Sequence, residues 1–323
     1  MYGYSGVIRG YNELHAVILV IKKGIPMDEM YEDSLELTGI DFPLKNENEK
    51  ISYVLNLNYT GNQYQTIKNF LNIGQYYEPD VSMFLKKIIS AGDTCIDIGA
   101  NVGFHTSLMA ACSGKNGKII AVEPFQENCE RINEMKEIND FHNIDIFNYA
   151  LSNKSGEEYY FCSSPKDTGW SYICRELKET KTSEEYFDHE SIETKSLLDL
   201  ITVDENVKVV KLDVEGSEQI ILDGCIEKIV NKSVDFWVVE CADHCLARHN
   251  SSQHSLRNLF YGHDVETFVL RGDGHMPVYV PPNMTLSYDV IPNLCFTTFE
   301  KLEEYYKSVE CGNLARTFSL NKN

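Results

Sequence analysis

Acidic residues follow three apolar, strand-like runs of this sequence, and a glycine turn accompanies the first of them. That run ends in Asp97-Ile-Gly99-Ala-Asn-Val-Gly103, where two glycines frame the start of a helix. Gly99 permits a sharp turn because glycine tolerates positive φ and has no Cβ to collide with a ligand. Ligands of doubly wound sheets bind at the carboxyl ends of the strands. The pattern predicts a ligand site here, and a tight turn without a ligand is the alternative.

The spacing of this turn distinguishes between ligands. A dinucleotide site has the pattern G-x-G-x-x-G, which lays a pyrophosphate on a helix N-terminus. Here the pattern is D-x-G-x-x-x-G, with Asp97 just before the turn. A carboxylate attracts a cationic amino-acid group and repels a pyrophosphate. The turn therefore favours a ligand with a cationic part over a nicotinamide dinucleotide.

A second acidic position closes the next apolar run, Ile119-Ile-Ala-Val-Glu123-Pro124-Phe125. An acidic residue about 20 residues after the glycines of a nucleotide-binding fold accepts hydrogen bonds from the ribose hydroxyls. Phe125 is then placed to pack on the adenine. Many strands end in glutamate without binding a ligand, so the interpretation of Glu123 depends on its position after the glycine turn.

The third acidic position is a cluster, Val209-Val-Lys-Leu-Asp213-Val-Glu215-Gly216-Ser217-Glu218. Carboxylates crowded at a strand end are costly unless cations or hydrogen-bond donors accompany them. Capping of the following helix and its dipole account for Ser217 and Glu218. They do not account for Asp213 and Glu215, to which we assign a functional role.

The elements that must position these residues alternate between strands and helices from about residue 80 onward, which is typical of βαβ units and a mostly parallel sheet. Periodicity predicts helices over 80–90, 104–112, 126–139 and 217–230. It predicts strands over 94–98, 118–122, 144–150, 157–162, 207–212, 234–240, 265–270 and 293–298. The polar stretch 180–191 is expected to be a surface excursion.

Composition narrows the function classes. The 323 residues carry a formal net charge of −20, which repels phosphate backbones and argues against a nucleic-acid substrate. The ten cysteines lack the dense spacing of a disulfide scaffold, and the apolar run 16–21 is far too short to span a bilayer. We expect a cytoplasmic protein without stable membrane insertion, and the sequence leaves a homo-oligomer open.

The segments IDIGANVGFHT, AVEPF and VKLDVEGSE, in this order and spacing, resemble the FkbM family of S-adenosylmethionine-dependent methyltransferases. Asn72-Ile-Gly-Gln-Tyr-Tyr-Glu78, Asn148-Tyr-Ala150-Leu-Ser152 and Pro292-Asn-Leu-Cys-Phe296 are similar to that family as well. The resemblance implies a Rossmann-like, doubly wound α/β fold with a mostly parallel seven-stranded sheet. It divides the chain into an N-terminal extension for substrate binding or oligomerisation (1–71), a methyltransferase domain (72–300), and a C-terminal helix and tail (301–323).

The resemblance also implies S-adenosylmethionine as cofactor. Asp97, Gly99 and Gly103 would lie against its methionyl part, and Asp213 would lie near its amino group or sulfonium. Phe125 and Ala150 would border the adenine, and Glu215 would face the acceptor. The full set of cofactor-binding residues is then Asp97, Gly99, Ala100, Asn101, Gly103, Glu123, Pro124, Phe125, Ala150 and Asp213.

The family resemblance points to O-methylation of a sugar, a glycan or another hydroxylated small molecule. Methylation of a peptide or an amine, and a nucleoside-binding scaffold without catalysis, remain the alternatives. An alcohol acceptor must lose a proton, which a positioned carboxylate or imidazole accepts. The candidates for this base are Glu215, Glu240 and His244, whereas His105 is interpreted as a pocket-lining residue.

A competing metal site lies in Cys241-Ala-Asp-His244-Cys245-Leu-Ala-Arg-His249, which holds two thiols and two imidazoles. Structural zinc sites draw their ligands as pairs from two separate segments, whereas these four share one. We therefore predict no metal and interpret the segment as a loop beside the acceptor pocket, with His244 or Arg248 touching substrate. Trp170, in a glycine-containing loop, is a candidate to stack on a sugar ring, and simple packing is its alternative.

Overall fold

The computed structural model describes residues 17–21, 35–43, 50–57, 59, 61–163, 168–176, 188–284, 286 and 293–306. The helices in these ranges are α1 Asn62–Asn72, α2 Pro79–Ile88, α3 Phe104–Ser113, α4 Gln126–Ile138, α5 Glu218–Asp223, α6 Ile226–Val230, α7 Asp243–Leu246, α8 Gln253–Tyr261 and α9 Phe299–Glu303. The first eight strands are β1 Val17–Ile21, β2 Leu35–Pro43, β3 Lys50–Asn56, β4 Thr94–Ile98, β5 Lys118–Val122, β6 Ile144–Phe147, β7 Leu151–Ser152 and β8 Glu158–Ser163. The others are β9 Tyr172–Cys174, β10 Asp188–Glu193, β11 Lys195–Ser196, β12 Val207–Leu212, β13 Val234–Glu240, β14 Glu266–Val269, β15 Val278–Val280 and β16 Asn293–Thr297.

The central sheet has the strand order β15-β14-β16-β13-β12-β4-β5-β6. Its strands from β13 to β6 run parallel, and β16, β14 and β15 pair antiparallel at the other edge. This confirms the predicted mixed α/β sheet with a mostly parallel core. The sheet has one strand more than the expected seven, because the three-residue strand β15 adds to the edge of β14. A run that short carries no periodicity by which the sequence could reveal it.

The register of the parallel strands brings the acidic positions to one edge of the sheet. Ile98 at the end of β4 lies opposite Val122 of β5 and Leu212 of β12. Leu212 lies in turn opposite Val239 of β13. The residues that follow these strand ends therefore meet along a single line above the sheet.

Alternation along the strands divides the core between the two faces of the sheet. Ile96 and Ile98 pack in one buried cluster, whereas Cys95 belongs to the cluster on the opposite face. Asp97 lies on the same face as Cys95, because successive side chains of a strand point to opposite faces. Asp97 is also the direct register partner of Lys211 on β12, so the sheet itself pairs the acid with a cation.

Some predicted elements differ from the observed ones. The helix expected over 217–230 is two short helices, α5 and α6, separated by Gly224, where a Cβ would lie 2.5 Å from the Cα of Asn153. The strand expected over 144–150 ends at Phe147, and β7 then pairs with β11. The first part of the stretch 180–191 lies outside the described residues, and its last part is β10.

The residues before the sheet pack onto it. Strands β1, β2 and β3 form an antiparallel sheet. Two hydrogen bonds join β3 to the end of α4, from Val54 N to Asn139 Oδ1 (2.6 Å) and from Asn139 Nδ2 to Val54 O (2.8 Å). The boundaries expected after residues 71 and 300 fall within helices α1 and α9. The three-part division of the chain stays a prediction. No described helix is long and apolar enough to cross a membrane.

Candidate functional site

The turn after β4 has a conformation that requires glycine. Gly99 has φ +77° and Gly103 has φ +83°, in the left-handed region where side chains are strained. A Cβ on Gly99 would lie 1.7 Å from the carbonyl oxygen of Asp213, so no other residue fits. Gly99 N and Ala100 N both donate to Val122 O, at 3.0 and 3.1 Å. These bonds hold the turn against the end of β5.

Glu123 is buried at the end of β5 and is held by hydrogen-bond donors. Asn101 N donates to its Oε2 at 2.7 Å, and Phe125 N donates to its Oε1 at 3.0 Å. Asn128 Nδ2 lies 3.4 Å from Oε1. Burial raises the pKa of Glu123 to about 7, although these donors favour the charged form. The carboxylate is thus fixed in place and orders the glycine turn beside it.

A cleft of about 600 Å³, partly open to solvent, extends along this edge of the sheet. The predicted site residues that line it are Gly99, Asn101, Glu123, Pro124, Ala150, Asp213 and Glu215. Tyr149, Phe161, Tyr172 and Ile173 are among the apolar lining residues that the sequence interpretation missed. They lie on or beside strands whose packing against the cleft depends on tertiary contacts. The ring of Phe125 packs toward Phe161, with centroids 6.4 Å apart.

Asp97 lies beneath the turn and is not among the lining residues of the cleft. It is 1% exposed, and Thr106 Oγ1 donates to its Oδ2 at 2.6 Å. Lys211 Nζ lies 3.9 Å from its Oδ1 and donates to Asp213 Oδ2 at 2.9 Å. Burial by itself would lower the pKa of Lys211, but the charges of Asp213, Asp97 and Glu78 raise it above its ordinary value. A permanent cation therefore links Asp97 to Asp213.

Asp213 and Glu215 line the other end of the cleft, and Glu240, which is not one of its walls, lies close to both. One oxygen each of Asp213, Glu215 and Glu240 lies within 4.8 Å of the others. Burial and the charge of Asp213 raise the pKa of Glu215 to about 7, and the same two causes raise the pKa of Glu240 well above its ordinary value. Cys245 Sγ donates to Glu215 Oε2 at 3.0 Å, and Arg248 Nη1 lies 3.8 Å from that oxygen.

The cysteine and histidine side chains of 241–249 do not converge on one point. Cys241 Sγ lies 3.5 Å from Val239 O, and Cys245 faces Glu215. His249 Nε2 lies 2.9 Å from Ile173 O, and the exposed His244 ring lies 6.2 Å from the ring of Trp170. Among the residues that the structure describes, the cluster with metal-ligand spacing is the carboxylate group rather than this segment.

His105 lines a second, smaller cavity beside the glycine turn, as its interpretation as a pocket residue anticipated. Its Nε2 lies 3.5 Å from Ser82 Oγ and 3.8 Å from Glu78 Oε2. Burial, followed by the charge of Lys211, lowers its pKa well below the ordinary value. The imidazole is therefore neutral at physiological pH.

Comparison with known families identifies this arrangement. The family model described as the methyltransferase FkbM domain matches residues 97–267, which is more than half of the chain. The chain belongs to this family. Membership implies methyl transfer that depends on S-adenosylmethionine, which confirms the enzyme class and the cofactor expected from the sequence. No curated protein matches this chain in sequence.

Solved methyltransferase structures are similar to it at low identity. Methyltransferase FkbM from Methylobacillus flagellatus KT is 15% identical with a TM-score of 0.40, and the match covers 64% of this chain and 44% of that one. A SAM-dependent O-methyltransferase from Thermotoga maritima is 12% identical with a TM-score of 0.40, covering 88% of this chain and 83% of that one. A SAM-dependent methyltransferase from Aquifex aeolicus is 9% identical with a TM-score of 0.37, covering 67% and 87%.

Proposed function

We propose that this FkbM methyltransferase methylates a hydroxyl group of a sugar, a glycan or another hydroxylated small molecule. The observation that carries the proposal is the group of Asp213, Glu215 and Glu240 at the acceptor end of the cleft. A hydroxyl acceptor needs hydrogen-bond acceptors to orient it and a base to take its proton. This carboxylate group supplies both.

The cleft fits the cofactor that the family requires. S-adenosylmethionine supplies an electrophilic methyl group on a sulfonium when it is bound. Gly99 keeps the turn close against Asp213, where a Cβ would collide with the carbonyl oxygen, so the turn lines the cleft beside that carboxylate. Glu123, with its carboxylate held by two backbone N–H groups, would bind the ribose, and Ala150 and Pro124 would border the base. Asp97 would act from beneath, by holding Lys211 against Asp213.

Glu215 is the best placed of the three candidate bases. It lines the cleft, and its pKa of about 7 lies near the value at which a general base combines availability with driving force. Burial and the charge of Asp213 raise the pKa of Glu240 well above its ordinary value, and Glu240 does not line the cleft, so it is a weaker candidate for the base. His244 is exposed, lies beside Trp170 and does not line the cleft. We therefore assign the proton transfer to Glu215.

An exposed aromatic residue supports a sugar acceptor. Trp170 is 46% exposed in the short helical turn Thr168–Trp170, next to Gly169 and Ser171, which line the cleft. The apolar face of a sugar ring stacks well on an exposed indole. The net charge of −20 and the acidic cleft both disfavour a phosphate-rich acceptor. The scattered cysteines support the expected cytoplasmic location.

The acidic cleft also favours one alternative, which is an amine acceptor attracted by the same carboxylates. Methyl-labelled S-adenosylmethionine, incubated with the purified chain, separates the two. Neutral mono- and oligosaccharides, lysine-containing peptides and the small-molecule fraction of a cell extract serve as acceptors, and mass spectrometry locates the label. Label on a hydroxyl oxygen supports the proposal, and label on nitrogen overturns it in favour of the amine. A chain that binds the cofactor but never releases a labelled methyl group is a scaffold.

A further inference from the structure

The second cavity adjoins the first across the glycine turn. Its empty space, which is partly open to solvent, is about 330 Å³, and it shares Gly99, Asn101 and Asp213 with the larger cleft. Its other walls come from Tyr77, Glu78, His105 and Lys211, and from Gln63 and Ile67 of helix α1. A ligand with its ribose at Glu123 therefore continues over the turn into this second space. Several of its walls lie before residue 97, outside the range matched by the family.

Glu78 holds a backbone conformation that its surroundings must enforce. It has φ 43° and ψ 70°, and it precedes Pro79, which normally restricts the preceding residue to extended conformations. Four other non-glycine residues with positive φ, Asp140, Lys232, Asn250 and Asp264, follow helix ends, where this conformation is common. Glu78, Asn101 and Glu215 instead line the two cavities. Such backbone conformations persist only where the surrounding structure enforces them, and they cluster at ligand sites and active sites.

The charged groups around Glu78 include more carboxyls than cations, which favours the binding of a further cation. The titratable and charged groups that surround it are Tyr77, Asp80, His105, Lys211, Asp213 and Glu240. Lys211 is the cation among them, because His105 is neutral, and Lys211 already donates to Asp213. Burial and the charge of Asp213 raise the pKa of Glu78 to about 7, so the carboxyl is only partly ionised without a ligand. A bound cation would stabilise its charged form.

We propose that Glu78 binds the α-ammonium group of the methionyl part of S-adenosylmethionine, and that α1 and the Tyr77–Glu78 turn close the amino-acid end of the cofactor site. This inference rests on the proposed cofactor site and adds to it residues that precede the family's glycine motif. Asp213, bound to Lys211, then faces the same group from the opposite wall. The first 90 residues thereby contribute to the cofactor site itself.

Calorimetric binding of two ligands tests the assignment. S-adenosylhomocysteine carries the ammonium group, and 5′-methylthioadenosine keeps the nucleoside thioether but lacks the amino-acid part. We expect Glu78→Gln to weaken S-adenosylhomocysteine binding by about 10- to 100-fold, since a charge-assisted hydrogen bond is lost. Binding of 5′-methylthioadenosine should change by less than about twofold. Glu303→Gln, which removes an exposed carboxylate of α9 outside both cavities, is the matched control and should bind both ligands like the wild type.

Proton release gives a second readout that a folding defect cannot imitate. At pH 7 the ammonium group should displace about half a proton from Glu78, because it lowers a pKa that starts near 7. Calorimetry in buffers of different ionisation enthalpy measures this release for S-adenosylhomocysteine relative to 5′-methylthioadenosine. The difference should vanish in Glu78→Gln. Tight binding with the same proton release in that variant overturns the role of Glu78 alone, whereas a wild type that binds neither ligand overturns the cofactor site as a whole.

Discussion

At one end of the cleft, Glu123 accepts two hydrogen bonds from backbone N–H groups, whereas at the other end Glu215 and Glu240 have few donors. Glu215 accepts from a thiol and lies 3.8 Å from Arg248, and Glu240 makes no side-chain hydrogen bond with another described residue. All three carboxyls have raised pKa values, with burial as the first cause. The pKa values of Glu123 and Glu215 both lie at about 7, so the two ends differ in how firmly donors hold the carboxylate and not in the size of the pKa shift.

This difference corresponds to two tasks of the proposed function, which are ribose binding and proton transfer. Hydrogen bonds that hold a carboxylate before the ligand arrives lower the entropic cost of binding, as a specific ribose site requires. Carboxyls with a pKa near neutrality exchange protons readily, as a base requires. In the proposed function, the firmly held Glu123 would bind a fixed ligand, and the less firmly held Glu215 would take the proton of the acceptor.

The largest expected effect is at the acceptor end. Glu215→Gln should lower the rate of methyl transfer by about 10²- to 10⁴-fold, because it removes the proposed base. Affinity for S-adenosylhomocysteine should stay within about threefold of the wild type. Initial rates with labelled cofactor and calorimetry measure the two effects. Glu227→Gln, on the exposed face of α6, is the matched control, and an unchanged rate in Glu215→Gln would contradict the assignment.

The nucleoside end should show the opposite behaviour. Glu123→Gln replaces the charged acceptor of the ribose hydroxyls, so affinity for both S-adenosylhomocysteine and 5′-methylthioadenosine should fall by about 10- to 100-fold. Titration of each ligand checks this, with the exposed Glu130→Gln as control. If only S-adenosylhomocysteine were affected, Glu123 would lie at the methionyl end instead.

Stability of the ligand-free protein should depend on pH in an unusual direction. Burial raises the pKa of Glu78, Glu123, Glu215 and Glu218 to about 7 in the folded protein, from 4.5. Between these values the folded state binds more protons than the unfolded state, so the free energy of unfolding falls as pH rises from about 5 to about 7. Thermal unfolding across this range measures the effect. Glu123→Gln should reduce the slope, and a stability that rises over this interval would contradict it.

The smallest effect is expected at the rim of the acceptor end. Trp170→Ala should raise the KM for a sugar acceptor by about threefold to tenfold through loss of stacking, with little change in kcat. The melting temperature should stay the same because the ring is half exposed. Trp170→Phe, which keeps an aromatic face, should restore most of the affinity. A drop in melting temperature without a change in KM would assign Trp170 to packing.

The sequence predicted the strand ends and the residue types beyond them with few errors. The runs that became β4, β5, β12 and β13 were predicted with the bounds that the structure shows. The predictions were poorer where local pattern carries no signal. Helix α5 ends at Gly224, and Asn153, far away in sequence, approaches that glycine so closely that a Cβ would not fit. Phe161 reaches the cleft only through the packing of β8, and the alternation of a strand does not reveal what its buried face covers.

Glycine spacing and acids at strand ends determined the class of ligand, because φ preferences and side-chain alternation act over a few residues. The sequence by itself thus indicated the cofactor, the family and the acidic cluster. The tertiary structure decided how the acids differ. The strand register places Lys211 beside Asp97, and donors from the glycine turn and from α4 hold Glu123. Glu78 lines the second cavity, on the other side of the glycine turn. Burial and charge, which set the pKa of each carboxyl, depend on segments far apart in the chain.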